Sequence, residues 1–340
     1  MSMTRDQAEA TANTLKAELG KVIVGQHQVV DEILISLAAN GHALLEGVPG
    51  LAKTLLISTL AAATRLTFSR IQFTPDLMPA DITGTEVIRE DKATGARELQ
   101  FLPGPIFASV ILADEINRTP PKTQAALLEA MQERQVSAGG QRRPLTQPFF
   151  VLATQNPIEQ EGTYPLPEAQ LDRFLIKISV GYPDEEDELE VIRRTTGNAK
   201  AAPDPVMDAE SISALQHLVR ETPVADAIMR YALAIVRATR PVSEGGHADL
   251  APLLRWGAGP RAGQAIVLCA KAFATLRGHT FVGLEDIRRV VKPVLRHRIQ
   301  PSYEAEAQGL GPDAIIDKLL SLVQLPATEL ENDPAVAEAL

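Results

Sequence analysis

Two pairs of residues, Lys53-Thr54 and Asp114-Glu115, carry side chains suited to holding a phosphate and a divalent cation. A lysine neutralises phosphate oxygens, while a threonine hydroxyl and a carboxylate are good Mg²⁺ ligands. A second carboxylate beside them can polarise a water molecule. This chemistry requires the two pairs to meet in space, so the elements that carry them decide whether it is available.

The first pair follows a short apolar run and a Gly/Pro turn, and it opens a helical run over residues 55–63. This strand–loop–helix order predicts a phosphate-binding loop, because loop N–H groups and the positive end of a helix then face the phosphates. Ala52 departs from the general pattern, which has Gly before the Lys. The alternative is an ordinary turn with a Lys-Thr pair. The predicted loop is Gly47-Val48-Pro49-Gly50-Leu51-Ala52-Lys53-Thr54.

The second pair ends an apolar run over residues 108–113 that predicts a buried strand. Ligands collect at the carboxyl ends of parallel strands, so we expect Asp114 and Glu115 near Lys53. Asp114 then suits Mg²⁺ coordination together with Thr54, and Glu115 suits activation of a water for attack on a γ-phosphate. A solvated Asp-Glu pair at a strand end is the simpler alternative.

Two further residues have two interpretations each. Asn156 ends another apolar strand and could contact the γ-phosphate or the attacking water, although Asn-Pro is also a good turn. Arg173 stands beside Asp172 and could form a surface ion pair with it. It could equally offer its guanidinium to the nucleotide of a neighbouring subunit. The residues alone leave both questions open.

Composition excludes several classes of protein. The 340 residues are 45% hydrophobic and 22% charged, which is typical of a soluble globular chain large enough for two domains. A net charge of −10 and an aromatic content of 4% argue against broad nucleic-acid binding. Without an apolar signal core or a membrane-length apolar run, we expect a cytoplasmic protein. Cys269 is expected as a buried thiol, and the histidines show no metal-binding spacing.

The order of elements predicts an α/β fold with a three-layer αβα P-loop domain, built on a parallel sheet and followed by a small all-α lid. We expect the nucleotide-binding core over residues 1–182, the helical lid over 183–330 and a tail to 340. Polar, Gly-containing turns between strand candidates predict two inserted hairpins, at about 82–104 and about 134–148.

With these motifs in place, roughly residues 5–305 closely resemble the MoxR family of AAA+ ATPases. The predicted loop corresponds to Walker A, with Ala52 in the form that MoxR proteins use, and the two hairpins resemble the helix-2 insert and the pre-sensor-1 hairpin. Gly259 stands where the family usually has Ser, and Gly278-His279-Thr280 replaces a frequent Gly-Arg pairing. The remaining motifs are Walker B (Asp114-Glu115-Ile116-Asn117-Arg118), sensor 1 (Thr154-Gln155-Asn156-Pro157), the arginine-finger segment (Leu166 to Phe174) and sensor 2 (Gly259-Pro260-Arg261-Ala262).

The resemblance implies ATP and Mg²⁺ as cofactors and hydrolysis at the subunit interfaces of a ring, with a hexamer as the expected form. It makes Arg173 a finger acting on the neighbouring subunit, makes Arg261 a lid residue at the γ-phosphate, and turns Arg118 toward the neighbour. It also implies chaperone-like remodelling or maturation of protein complexes and a partner with a von Willebrand factor A domain. A DNA-associated motor, a magnesium-chelatase-type motor and a slow nucleotide-switched scaffold are the alternatives.

Overall fold

A computed structural model describes residues 3–48, 50–90, 97–157, 162–197 and 201–323. Pro49 of the predicted loop lies outside these ranges, as do residues 324–340, which hold the end of the predicted lid and the predicted tail. The strands are β1 (Ala43–Gly47), β2 (Phe68–Gln72), β3 (Gly84–Glu90), β4 (Arg97–Pro103), β5 (Val110–Asp114), β6 (Gln135–Ala138), β7 (Gln141–Pro144), β8 (Phe150–Gln155), β9 (Ile176–Val180), β10 (Leu254–Trp256) and β11 (Gln300–Pro301).

Helices surround these strands and make up most of the C-terminal part. They are α1 (Arg5–Gly20), α2 (His27–Ala38), α3 (Lys53–Ala63), α4 (Pro79–Thr83), α5 (Pro121–Glu133), α6 (Glu168–Leu171), α7 (Glu185–Thr196), α8 (Ala209–Glu221), α9 (Asp226–Ala238), α10 (Pro260–Leu276), α11 (Leu284–Leu295), α12 (Tyr303–Ala307) and α13 (Pro312–Leu322). None of those helices is both long enough and apolar enough to cross a membrane.

The N-terminal part is built on a five-stranded sheet in the order β2-β5-β8-β1-β9. All four pairings are parallel. Alternate residues of each strand enter different hydrophobic clusters: Leu112 and Leu152 pack on one face, whereas Ile111 and Val151 pack on the other. A parallel sheet buried on both faces needs such continuously apolar strands. The predicted three-layer α/β architecture is therefore confirmed.

Two antiparallel hairpins project from this layer structure. One pairs β3 with β4 and the other pairs β6 with β7. They contact each other where the guanidinium of Arg143 lies 3.8 Å from the centre of the Phe101 ring. Phe101 also packs edge-to-face against Phe107. A cation–π contact thus connects the two hairpins at their base, and the aromatic pair packs the first hairpin against the turn that follows it.

The lid is helical apart from one short ribbon. The strand β10 pairs antiparallel with β11, which differs from the expected all-α lid. A ribbon of two and three residues shows no period-2 alternation, so the sequence pattern could not predict it. The core of the lid is continuous with one face of the sheet, since Ile266 and Val290 share a hydrophobic cluster with Leu45 and Ile176. Lid and sheet therefore pack as one body on that face.

Candidate active site

The loop after β1 owes its shape to two residues with left-handed backbone. Gly50 has φ of 88° and Ala52 has φ of 53°. An L-residue in this region is strained, which explains why a Gly is usual at the position of Ala52. Gly47 is required for another reason. A Cβ there would lie 2.7 Å from the carbonyl oxygen of Val180 on the neighbouring strand β9.

Lys53 is the first residue of α3, and its side chain turns back over the loop. The Nζ atom donates a hydrogen bond to the carbonyl oxygen of Gly47 at 2.7 Å. Burial lowers the pKa of Lys53, and the nearby charges of Asp114 and Glu115 oppose that shift. Thr54 follows in the first turn of the same helix. The Lys53 ammonium group thus lies near the two carboxylates at the helix N-terminus, with Thr54 next to it in the chain.

Asp114 ends β5, and both of its carboxylate oxygens accept hydrogen bonds. Oδ1 accepts from the Thr154 hydroxyl at 2.6 Å. Oδ2 accepts from the guanidinium of Arg70 at 2.6 Å and 3.1 Å. Arg70 was not predicted as a site residue, and Thr154 was predicted only as part of the sensor 1 motif, without a role of its own. Their positions on β2 and β8, the strands that flank β5, are the signal that could have found them.

Glu115 sits just beyond the strand with a φ of 56°, so the chain turns sharply there. Its N–H donates to the Thr154 hydroxyl at 2.8 Å. The Oε2 atom accepts hydrogen bonds from Gln72 at 2.9 Å and from Arg118 at 3.1 Å. Arg118, expected to face a neighbouring subunit, thus contacts Glu115 of its own chain. Gln72 is a further site residue that the sequence analysis missed.

Asn156 directly follows β8, which lies between β5 and β1 in the sheet. Its side chain is buried. The loop after β1, the carboxylates after β5 and the amide after β8 consequently share one edge of the sheet, at the carboxyl ends of three adjacent parallel strands. This is the edge at which ligands bind in open α/β folds. The predicted neighbourhood of Lys53, Asp114, Glu115 and Asn156 is present.

Arg173 and Arg261 lie near the same carboxylate, but only Arg261 contacts it. Asp172 pairs with Arg298 at 2.8 Å and with Arg261 at 3.6 Å. Within the described ranges, the Arg173 side chain forms no hydrogen bond or ion pair. The ion pair with Asp172, one of the two interpretations of Arg173, is therefore not present there. Arg261 is in the first turn of α10, and Arg173 lies between α6 and β9.

The remaining titratable candidates behave as expected for core groups. Cys269 is fully buried, and burial raises its pKa to about 12. His42 is buried with its Nε2 donating to the Met131 carbonyl oxygen, and desolvation lowers its pKa to about 4. No group of three or more His, Cys, Asp or Glu that could hold a metal ion occurs in the part of the chain with described coordinates.

Two family profiles match the chain in the order of its domains. Residues 42–176 match the family described as ATPase family associated with various cellular activities (AAA), and residues 248–319 match the AAA lid domain. The first span runs from the start of β1 to the start of β9, so it covers the candidate site. The second covers about half of the lid, from the segment before β10 into α13.

Curated proteins of similar length match nearly the whole chain. It is 46% identical to Chaperone MoxR1 of Mycobacterium tuberculosis, over 91% of this chain and 81% of that protein. It is 33% identical to Protein MoxR of Paracoccus denitrificans, over 92% and 95%. A crystal structure from Cytophaga hutchinsonii, described as that of a candidate ATPase, superposes with a TM-score of 0.86 at 43% identity, covering 95% and 97% of the chains. The chain therefore belongs to the MoxR family of AAA+ ATPases.

Proposed function

We propose that this protein hydrolyses ATP to ADP and phosphate at the subunit interfaces of a homo-oligomeric ring, and that it uses the energy to remodel a protein client. Family membership supports the general ATPase and chaperone role. The ring, proposed as a hexamer in the cytoplasm, and a partner with a von Willebrand factor A domain follow from the resemblance to MoxR proteins. The single observation that carries hydrolysis is the shared edge where Lys53, Asp114, Glu115 and Asn156 meet.

The loop and its neighbours fit a nucleotide and Mg²⁺. The backbone of the loop and the Lys53 ammonium group would hold the β- and γ-phosphates, because both offer positive charge at a helix N-terminus. The Thr54 hydroxyl and the Asp114 carboxylate would hold Mg²⁺, which prefers oxygen ligands. When bound, the cation neutralises charge on the phosphate oxygens. Thr154 supports this assignment by orienting Asp114 with a 2.6 Å hydrogen bond.

Glu115 and Asn156 would act on the attacking water. The Glu115 carboxylate orients the water and accepts its proton as the water oxygen bonds to the γ-phosphorus and the bond to the β–γ bridging oxygen breaks. Two donors, Gln72 and Arg118, already hold one Glu115 oxygen. The other oxygen is the one that would receive the water. The Asn156 amide, buried at the end of the adjacent strand, would hold the water or the γ-phosphate.

Arg173 is proposed to complete the site of the neighbouring subunit, and Arg261 to contact the γ-phosphate from the lid of its own subunit. Two observations support these roles. Arg173 forms no side-chain hydrogen bond or ion pair within the described ranges, so its charge is available to an incoming anion. Arg261 is exposed, and its contact with Asp172 spans 3.6 Å. Such a long, solvated ion pair is weak and is easily exchanged for a phosphate.

A protein client is favoured over nucleic acid by the surface of the β3–β4 hairpin. Ile88 and Leu99 face each other across the two strands and are each 70% exposed. Exposed apolar pairs of this kind are typical of surfaces that bind other proteins. The net charge of −10 also disfavours contact with a phosphate backbone.

The experiment is to measure phosphate release against protein concentration, with mass photometry on the same samples. We expect specific activity to rise as rings form, because each site needs an arginine from the next subunit. Arg173→Ala should assemble and bind nucleotide but lose turnover, by a factor of about 10³. Activity that is independent of assembly, or normal turnover in assembled Arg173→Ala, would contradict catalysis at subunit interfaces.

A further inference from the structure

A buried run of three basic residues, Arg296-His297-Arg298, lies between the end of α11 and β11, at the junction of lid and sheet. Each of the three is only 8% exposed. Charged side chains are rarely buried without partners, so the partners indicate what the run is for. His297 donates from Nε2 to the carbonyl oxygen of Phe174 at 3.1 Å. The run thus reaches the segment that contains Arg173.

Arg298 makes the most contacts with that segment. Its Nε donates to Oδ1 of Asp172 at 2.8 Å, and one terminal nitrogen donates to the carbonyl oxygen of Phe174 at 2.7 Å. The other terminal nitrogen donates to the carbonyl oxygen of Leu175 at 3.0 Å. These groups flank Arg173 on both sides. A planar guanidinium that bonds the residues before and after Arg173 holds the backbone there in place. The direction in which the Arg173 side chain projects is therefore fixed.

The Asp172 carboxylate joins this fixed cation to a second, exposed one. Its Oδ1 is bonded to Arg298, whose side chain is 4% exposed, and its Oδ2 lies 3.6 Å from Arg261, whose side chain is 57% exposed. The buried pair is held by surrounding protein, whereas the exposed pair is screened by solvent. Arg261 can therefore leave Asp172 without disturbing the bond to Arg298.

We propose that Arg298 is a positioning residue for Arg173, and that Asp172 connects the Arg173 backbone to the lid arginine Arg261. This rests on the proposed function, in which Arg173 acts on the next subunit and Arg261 contacts the γ-phosphate of its own. When Arg261 turns to its nucleotide, Asp172 keeps only Arg298 as a partner. The backbone around Arg173 thus stays held by Arg298 while the lid arginine moves.

The test compares Arg298→Lys with the matched control Arg296→Lys. Lysine keeps the charge but cannot span the carboxylate and both carbonyl groups. Arg296 is buried in the same junction, but it bonds Asp313 and the carbonyl oxygen of Lys177 instead of the residues flanking Arg173. We expect Arg298→Lys to lower kcat about tenfold or more, with KM for ATP changed by less than about twofold, because a small misplacement of a catalytic group costs this much.

A mixed-ring experiment separates positioning from a general effect on folding. Each variant is mixed with excess Glu115→Gln subunits, which hydrolyse ATP at least about a hundredfold more slowly than wild type but carry an intact Arg173. Turnover is expressed per subunit that carries Glu115, and it is compared with that of wild type mixed with Glu115→Gln at the same ratio. Arg298→Lys subunits should recover most of their activity, because their neighbours now supply a correctly held arginine. Mixing with Glu115→Gln subunits should not raise the turnover of the Arg296→Lys control, because Arg296 does not bond the residues flanking Arg173.

The outcomes are distinct. Wild-type kcat in Arg298→Lys, or a loss that Glu115→Gln subunits do not restore, overturns the positioning role. Arg173→Ala is mixed in parallel. If Arg173→Ala recovers and Arg298→Lys does not, only the positioning role falls. If Arg173→Ala fails to recover in intact rings, the proposed action on the neighbouring subunit falls, and the positioning role with it. Asp172→Asn provides a second variant if Arg298→Lys does not fold, and it should show the same recoverable loss.

Discussion

Cations meet carboxylates in two regions of this molecule, and the arginines of the two regions differ in burial. At the strand ends, Arg70 and Arg118 pair with Asp114 and Glu115, and these arginine side chains are 47% and 45% exposed. At the lid junction, the side chain of Arg298 is only 4% exposed. Breaking a solvated pair costs little, whereas breaking a buried pair leaves a charge with neither water nor partner.

The difference indicates separate roles for similar-looking pairs. The strand-end carboxylates can exchange an arginine for a metal ion or a water molecule, which is what a catalytic centre requires. The junction arginines hold the lid and the segment around Arg173 in one arrangement.

The largest effect is expected at a strand-end carboxylate. Glu115→Gln should lower kcat by roughly 10²–10⁴, the usual contribution of a general base, while nucleotide binding persists. Phosphate release and titration with a fluorescent nucleotide measure the two effects. The control is Glu46→Gln, the same change near the carboxyl end of β1, where Glu46 pairs with Lys177. Equal losses in both variants would contradict a specific role for Glu115.

The second effect concerns stability and compares the two regions directly. Arg298→Ala should lower the free energy of unfolding by about 3 kcal/mol, because buried carbonyl groups and the Asp172 carboxylate lose their donor. Arg70→Ala should change it by less than about 1 kcal/mol, because Arg70 is half-exposed. Urea unfolding followed by circular dichroism measures both. Similar losses of stability in the two variants would contradict the different roles of the buried and the half-exposed arginine.

The third effect is a dependence of stability on pH. The folded-state pKa of His42 is about 4, below the ordinary value of 6.5, because the ring is desolvated. The contribution of the neutral His42 ring to the free energy of unfolding is therefore complete above pH 6.5, and it is lost as the pH falls toward 4. Between pH 7.5 and 5.5 we expect the loss of about 1 kcal/mol from this residue.

The matched variant is His42→Asn, which cannot titrate but can still donate to the Met131 carbonyl oxygen and accept from the N–H of Val151. Unfolding of wild type and variant is compared at the two pH values. A variant that loses as much stability as wild type would show that His42 is not the source.

The smallest effect is on metal affinity. Arg70 occupies one oxygen of Asp114, the proposed Mg²⁺ ligand, at 2.6 Å. Removing this competitor in Arg70→Ala should lower the Mg²⁺ concentration for half-maximal ATPase activity by about threefold, since a half-exposed pair contributes under 1 kcal/mol. A Mg²⁺ titration of phosphate release measures it. An unchanged or higher requirement would mean that Arg70 assists the cation instead of competing with it.

Much of the site was predictable because its parts are local in the chain. The loop from Gly47 to Thr54 and the carboxylates after β5 each combine an apolar strand with the polar residues that follow it. Parallel strands end at one edge, so their terminal residues come together without further information. The donors Arg70 and Gln72 were missed because an isolated strand does not reveal which strand lies beside it.

The contacts at the lid junction could not be predicted from local patterns in the sequence. Local patterns identified the loop, the strand-end residues, the hairpins and the helices, since each depends on neighbours in the chain and on a short period of apolar residues. The partner of Asp172 depended on the tertiary structure. Arg298, which bonds the Asp172 carboxylate, is 126 residues away in the chain. Arg173, the arginine next to Asp172 in the chain, is not bonded to that carboxylate. Packing of the lid against β9 brings Arg298 to Asp172, and a contact set by packing leaves no spacing in the sequence from which to predict it.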